Sequence, residues 1–116
     1  MDIDQDTAEM NAMLANHRRR AAQEREEATK RLAAAAGADA LDQVQREATA
    51  TIDHCTGRHD ACDFVLEDME ASIDPEEIVS FLDQRLTEYI ADADSLQKVK
   101  GFSAVVVEVN DYRLSL

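Results

Sequence analysis

The most regular pattern in the chain is a stripe of apolar and small residues in its middle. Its members lie alternately four and three residues apart: Ala48, Ile52, Cys55, His59, Cys62, Leu66, Met69 and Ile73. This repeat is typical of a helix that buries one narrow face against partner helices. Glycine inside a helix costs about 1 kcal/mol relative to alanine, so Gly57 is the weak point. Because the stripe keeps its phase across Gly57, we predict one long helix, with a bend at most, rather than two helices.

The pattern before this stripe predicts another long helix, which begins at Asp6 or Thr7 and runs to about Ala36. Either residue can cap its first turn, and Gly37 is a stop signal. Its apolar-face positions are Met10, Met13, Leu14, His17, Ala21, Ala28, Leu32 and Ala35. The middle of this face is small, so a neighbouring helix can approach closely but buries little area. Asp39 is the predicted cap of the central helix.

The clearest boundary in the sequence follows the central stripe. Asp74 is a predicted N-cap, Pro75 takes the first helical position, and two glutamates fill the first turn. The helix that follows has the richest apolar face before the carboxyl-terminal segment: Ile78, Phe81, Leu82, Leu86, Tyr89 and Ile90. It should end near 91–94, and Ser95 can cap the next element.

The carboxyl-terminal segment allows two interpretations. Its β-branched residues suit a hairpin over 103–116, but the turn Asn110–Asp111 lacks the glycine that two-residue hairpins favour. A helix would instead place seven apolar residues on one face: Val99, Phe102, Val105, Val106, Val109, Tyr112 and Leu116. We favour the helix. The predicted fold of 1–116 is therefore a single all-α domain of four to five helices with two long antiparallel ones; the alternative is α+β with a hairpin at 103–116.

The negative charge of the chain is concentrated in its middle. The formal net charge is -13, and residues 51–94 contribute thirteen acids against Arg58 and Arg85 alone. Such a field repels nucleic acid and membranes and favours a protein partner with a basic surface. Because the chain has three lysines against nine arginines, adaptation to high salt or to a GC-rich genome is an equally simple explanation of the acidity.

Several features place the chain in the cytoplasm. No apolar run reaches the roughly 20 residues that span a bilayer. The acidic start MDIDQD is unlike a secretion signal. Two cysteines are too few for a disulfide framework and agree with a reducing compartment. We therefore expect a soluble cytoplasmic protein that contacts neither membrane nor nucleic acid directly.

One short window holds candidate metal ligands. His54, Cys55, His59 and Cys62 supply the atoms that zinc prefers, with His17 as a further candidate, but their spacing matches no zinc motif. Free cysteine usually packs as a small apolar residue, so we predict a core role and no metal or cofactor. The sequence has no phosphate-binding loop and no nucleophile elbow. We therefore predict that the protein is not an enzyme.

The function that fits these features is binding. We expect a small acidic helical protein-interaction module, an adaptor or inhibitor of the size and composition typical of accessory proteins of bacteria, viruses or plasmids. Its partner would be a basic protein or a second copy in a homodimer. The predicted binding residues are Asp60, Asp63, Glu67, Asp68, Glu70, Asp74, Glu76 and Glu77. The alternatives are a DNA-mimic inhibitor of a host-defence protein and a metal or redox protein centred on Cys55, His59 and Cys62.

Overall fold

The residues that the computed structural model describes, 5–35, 41–68 and 74–116, are almost all helical. The bounds of the helices are Gln5–Ala34 (α1), Leu41–Asp63 (α2), Pro75–Asp92 (α3) and Leu96–Ser115 (α4), and α2 continues into a π-helical turn at Phe64–Asp68. The described ranges contain no strand. The all-α prediction is confirmed, and the hairpin alternative at 103–116 is wrong because that segment is the second half of α4.

Some predicted boundaries lie outside the described residues. These are the predicted stop at Ala36 and Gly37, the cap at Asp39, and the last two members of the central stripe, Met69 and Ile73. Within the described residues, α1 already includes Asp6 and Thr7, so the prediction that either one caps it is wrong, and α1 ends at Ala34. The central helix is continuous through Gly57, as its unbroken phase predicts.

The two long helices run antiparallel and extend beyond the rest of the bundle. The beginning of α1, the end of α2, α3 and α4 share one core: Met10, Leu14, Ala61, Cys62, Val65, Ile78, Leu82, Phe102, Val105, Val106 and Val109. Past this core, residues 21–35 and 41–50 pair as a two-helix arm, in which Ala21, Ala28 and Ala48 are the fully buried residues. The molecule is therefore elongated, 57 × 26 × 24 Å.

Two glycines let α2 and α4 touch through their backbones. A Cβ atom added to Gly57 would lie 1.9 Å from the carbonyl oxygen of Lys98, and one added to Gly101 would lie 2.0 Å from that of His54. Non-bonded carbon and oxygen atoms cannot approach so closely, so only glycine fits at either position. Gly57, a weak point on helix propensity, is thus the point where the two helices cross.

Helix α3 starts as its sequence predicts and covers one side of α4. The side chain of Asp74 accepts a hydrogen bond from the backbone N–H of Glu77 at 2.9 Å, and Pro75 follows at the first position. Near its other end, the Tyr89 ring stacks on Phe102 of α4 with 4.5 Å between ring centroids. The face of α4 that carries Phe102, Val105 and Val109 therefore packs inside the bundle, and the opposite face remains exposed.

The glycine contact generates the first testable prediction. Replacing Gly57 with alanine should lower the free energy of unfolding by about 2–3 kcal/mol, because the added methyl group forces α2 and α4 apart. Helix propensity alone predicts the opposite, a gain of roughly 1 kcal/mol. Urea unfolding followed by circular dichroism measures the difference. Ser80→Ala on the exposed side of α3 is the control and should be neutral, and a stabilised Gly57→Ala protein would show that the crossing is looser.

Candidate interaction surface and buried polar network

A buried chain of polar side chains joins three helices at the base of the arm. His17 of α1 is almost fully buried, and its Nδ1 lies 2.6 Å from Oε2 of Glu108 on α4, close but poorly aligned for a hydrogen bond. On the other side of the ring, Arg58 of α2 donates from Nε to His17 Nε2 at 2.9 Å. The same guanidinium forms an ion pair through Nη1 with Glu24 of α1.

The partners of His17 determine its protonation. Because Nε2 accepts from Arg58, the ring is neutral and its proton lies on Nδ1, facing the Glu108 carboxylate. Burial lowers the pKa of His17, and the nearby charges of Arg58 and Arg20 lower it further, while Glu108 acts in the opposite direction. Sequence analysis placed His17 on an apolar face, and its burial is correct; its side chain lies between Arg58 and Glu108 in a polar network.

The cysteines are buried and lie far from each other along α2. Both are free thiols, and because Cys55 and Cys62 are seven residues apart on one continuous helix, their Cα atoms are separated by about 10.5 Å. A disulfide needs about 7 Å or less, so these two cannot bridge without breaking α2. Burial raises the pKa of both thiols, that of Cys62 to about 12.

The predicted metal ligands do not converge. His54 is half-buried beside Arg58, and burial lowers its pKa. His59 lies 3.3 Å from a carboxylate oxygen of Asp63. Among the described residues, no three histidine, cysteine or acidic side chains are grouped so that they could hold a metal ion. Cys55 and Cys62 occupy the core positions that the stripe predicts, and the expectation of a metal-free protein remains a prediction.

The predicted acidic binding residues of α2 and its π-helical turn are engaged within the bundle. Arg18 of α1 donates to Asp63 at 2.7 Å and to Glu67 at 2.9 Å. The Tyr89 hydroxyl donates to Asp60 at 2.7 Å. These three carboxylates therefore stabilise packing among α1, α2 and α3.

Other members of the predicted set lie elsewhere or outside the description. The side chain of Asp68 and the whole of Glu70 are not among the described positions. Asp74 caps α3, and the neighbouring Glu77 is half-buried. Glu76 is largely exposed, 3.7 Å from Arg113 of α4. The described members thus fall into two groups, three at the end of α2 and its π-helical turn and three at the start of α3.

Three further acids of α3 are exposed, and sequence analysis did not single them out. Asp83, Glu88 and Asp92 are all exposed. Two large apolar side chains accompany them, Phe81 at 44 % and Ile90 at 54 % exposure. Residues seven apart share one line of a helix, so Glu88 lies in line with Phe81. Ile90 lies in line with Asp83 on the other flank, about 160° around the axis at 100° per residue. We call these five residues the acidic α3 surface; at about 100° per residue they lie on the two flanks of α3, on either side of the buried Ile78 and Leu82.

Comparison with known proteins adds no further identification. No family model, no curated protein and no solved structure matches the chain. In the part of the chain that the structure describes, every helix is too short or too polar to cross a membrane.

The buried histidine predicts how stability depends on pH. When a pKa is lower in the folded than in the unfolded state, the folded protein binds fewer protons, and stability is greatest above the unfolded pKa. The free energy of unfolding should therefore fall as the pH drops below about 6.5. Urea unfolding between about pH 7.5 and pH 5 measures this slope. His17→Gln should flatten the dependence of the free energy of unfolding on pH. His54→Gln is the matched control and should retain the part of this dependence that is due to His17. An unchanged slope in His17→Gln would contradict the assignment.

The buried thiols give a second prediction at this site. In the folded protein at pH 8, Cys55 and Cys62 should not react with a chromogenic disulfide reagent, because both are buried and protonated. After unfolding in guanidinium chloride, two thiols per chain should react at once. Addition of EDTA should leave both the reactivity and the melting temperature unchanged. Rapid reaction of the native protein, or a collapse of the melting temperature with EDTA, would favour the redox or metal alternative.

Proposed function

We propose that the protein acts by binding, as a protein-interaction module that docks on a basic partner through the acidic α3 surface. The observation that carries this proposal is that each flank of α3 pairs an exposed carboxylate with a large exposed apolar side chain: Glu88 with Phe81 on one flank and Asp83 with Ile90 on the other. Exposed acids attract and orient a basic partner. Large apolar side chains supply the buried contact area that gives a protein complex much of its affinity.

The same geometry favours a protein partner surface over imitation of DNA. A DNA mimic needs rows of free carboxylates in place of phosphates. Arg18 and Tyr89 already bind Asp63, Glu67 and Asp60. Within α3, Arg85 binds Glu88 at 2.9 Å, so fewer acids are available for such a row than the charge count suggests. The metal or redox alternative gains no support, since its candidate ligands point to separate partners.

Helix α3 is also a suitable support for a docking surface. Its inner side is fixed by the fully buried Ile78 and Leu82 and by the Tyr89–Phe102 stack. A surface on a well-packed helix loses little conformational freedom when a partner binds. An adaptor or an inhibitor would both use such a surface, and the partner decides between them.

Affinity capture with matched charge variants tests the proposal. The triple variant Asp83→Asn, Glu88→Gln, Asp92→Asn should lose any protein captured from an extract of the source organism, because it removes three charges from the acidic α3 surface. The control variant Glu26→Gln, Glu27→Gln, Asp42→Asn removes three exposed charges from the arm and should retain the captured protein. Capture by the native chain should also weaken steeply with salt.

Two outcomes would contradict the proposal. If the α3 variant and the arm variant lose the same captured protein equally, binding depends on net charge and not on this surface. If Phe81→Ala and Ile90→Ala leave binding unchanged while DNA competes for the captured protein, the DNA-mimic alternative is the better explanation.

A further inference from the structure

The outer side of α4 carries a line of exposed apolar residues that the bundle does not use. Leu96, Val107 and Leu114 are 67 %, 56 % and 66 % exposed. At about 100° per residue, these positions fall within about 20° of one another around the helix axis. They lie opposite Phe102, Val105 and Val109, which face the core. The line extends for about 27 Å at 1.5 Å per residue, the full described length of α4.

This line is part of a regular seam. Its positions alternate four and three residues apart: Leu96, Lys100, Ser103, Val107, Asn110 and Leu114. The same spacing defines the contact seam of two-stranded coiled coils. When the α4 helix of a second copy runs in the opposite direction, Leu96 lies opposite Leu114 of the other copy, and Val107 lies opposite its Ser103. The apolar ends match in either orientation of two identical helices, but a parallel pair would place Lys100 against Lys100, and an antiparallel pair would not.

Charge supports the same arrangement. Lys100 and Asp111 are both exposed, and neither forms an ion pair with any residue that the structure describes. In the antiparallel pairing Lys100 lies opposite Asn110 and beside Asp111 of the other copy. Twofold symmetry creates this contact twice. The remaining cation of this part of α4, Lys98, is already bound to Asp94 at 2.8 Å.

We propose that the outer seam of α4 is a homodimer interface, in which two copies of the chain pair antiparallel about a twofold axis near Val105. This surface is separate from the acidic α3 surface, and the inference does not depend on the proposed function. A single helix seam buries less area than a standard interface of about 1,600 Å². The dimer should therefore be weak, with a dissociation constant in the micromolar range or above, and reversible.

Sedimentation equilibrium of the full chain over a concentration series tests the dimer. The expected result is a reversible shift from 12.9 kDa towards twice that mass, up to about 0.5 mM chain. Val107→Ser should abolish the shift, and Ile90→Ser on α3, a residue of nearly equal exposure, should not. A constant monomer mass, or equal loss in the two variants, would overturn the proposal.

Charge exchange tests the antiparallel register. Lys100→Glu and Asp111→Lys should each weaken self-association about fivefold or more, because each creates a repulsive pair twice in the symmetric dimer. The double variant should recover the native association, and so should an equimolar mixture of the two single variants. In a parallel pair, Lys100 of one copy would already face Lys100 of the other. If neither single variant weakens self-association, the antiparallel register is therefore wrong. Circular dichroism of each variant confirms that the exposed substitutions leave the helices intact.

Discussion

The close backbone contact of α2 with α4 at Gly57 and Gly101 sets the geometry on which the rest of the bundle depends. Because neither residue has a side chain, the backbones of α2 and α4 meet directly, each close to a carbonyl group of the other helix. This approach brings Glu108 within reach of His17 and holds Phe102 where Tyr89 can stack on it. Helices separated by ordinary side chains lie about 8–10 Å apart, and at that distance neither the polar network nor the aromatic stack would form as it does.

The polar network complements this contact by fixing how the long helices align. The alanines of the arm are small and similar, so Ala21, Ala28 and Ala48 would pack almost as well after one helix slides along the other. Arg58 prevents such a slide, because it must reach His17 and Glu24 at once. Buried polar groups of this kind add little to overall stability. Here they distinguish one alignment from its near equivalents, a role known for polar residues at helix interfaces.

The features that depend on residues close together in the chain could be predicted from the sequence. The features that depend on contacts between different helices could not. The helices follow from apolar spacing, and the start of α3 follows from Asp74 and Pro75 alone. Gly57 is a weak point by propensity, and its true role needs Gly101, which lies in another helix. The acids of α2 resemble free surface charges until the fold brings Arg18 to two of them. The exposed acids of α3 were within the charged block, but only the packing of α3 shows which of them face solvent.

The arm gives the molecule an uneven resistance to local opening. Its two helices are held to each other mainly by methyl groups, while the bundle has large side chains from four helices. A helix pair with so little buried area should open and re-form many times before the bundle unfolds, as regions of low contact density do in native-state exchange. Amide protons beyond Ala21 would then exchange with solvent far sooner than those near Gly57. The chain is thus a rigid body with a soft extension, which could bend to a partner's shape without disturbing either α3 or α4.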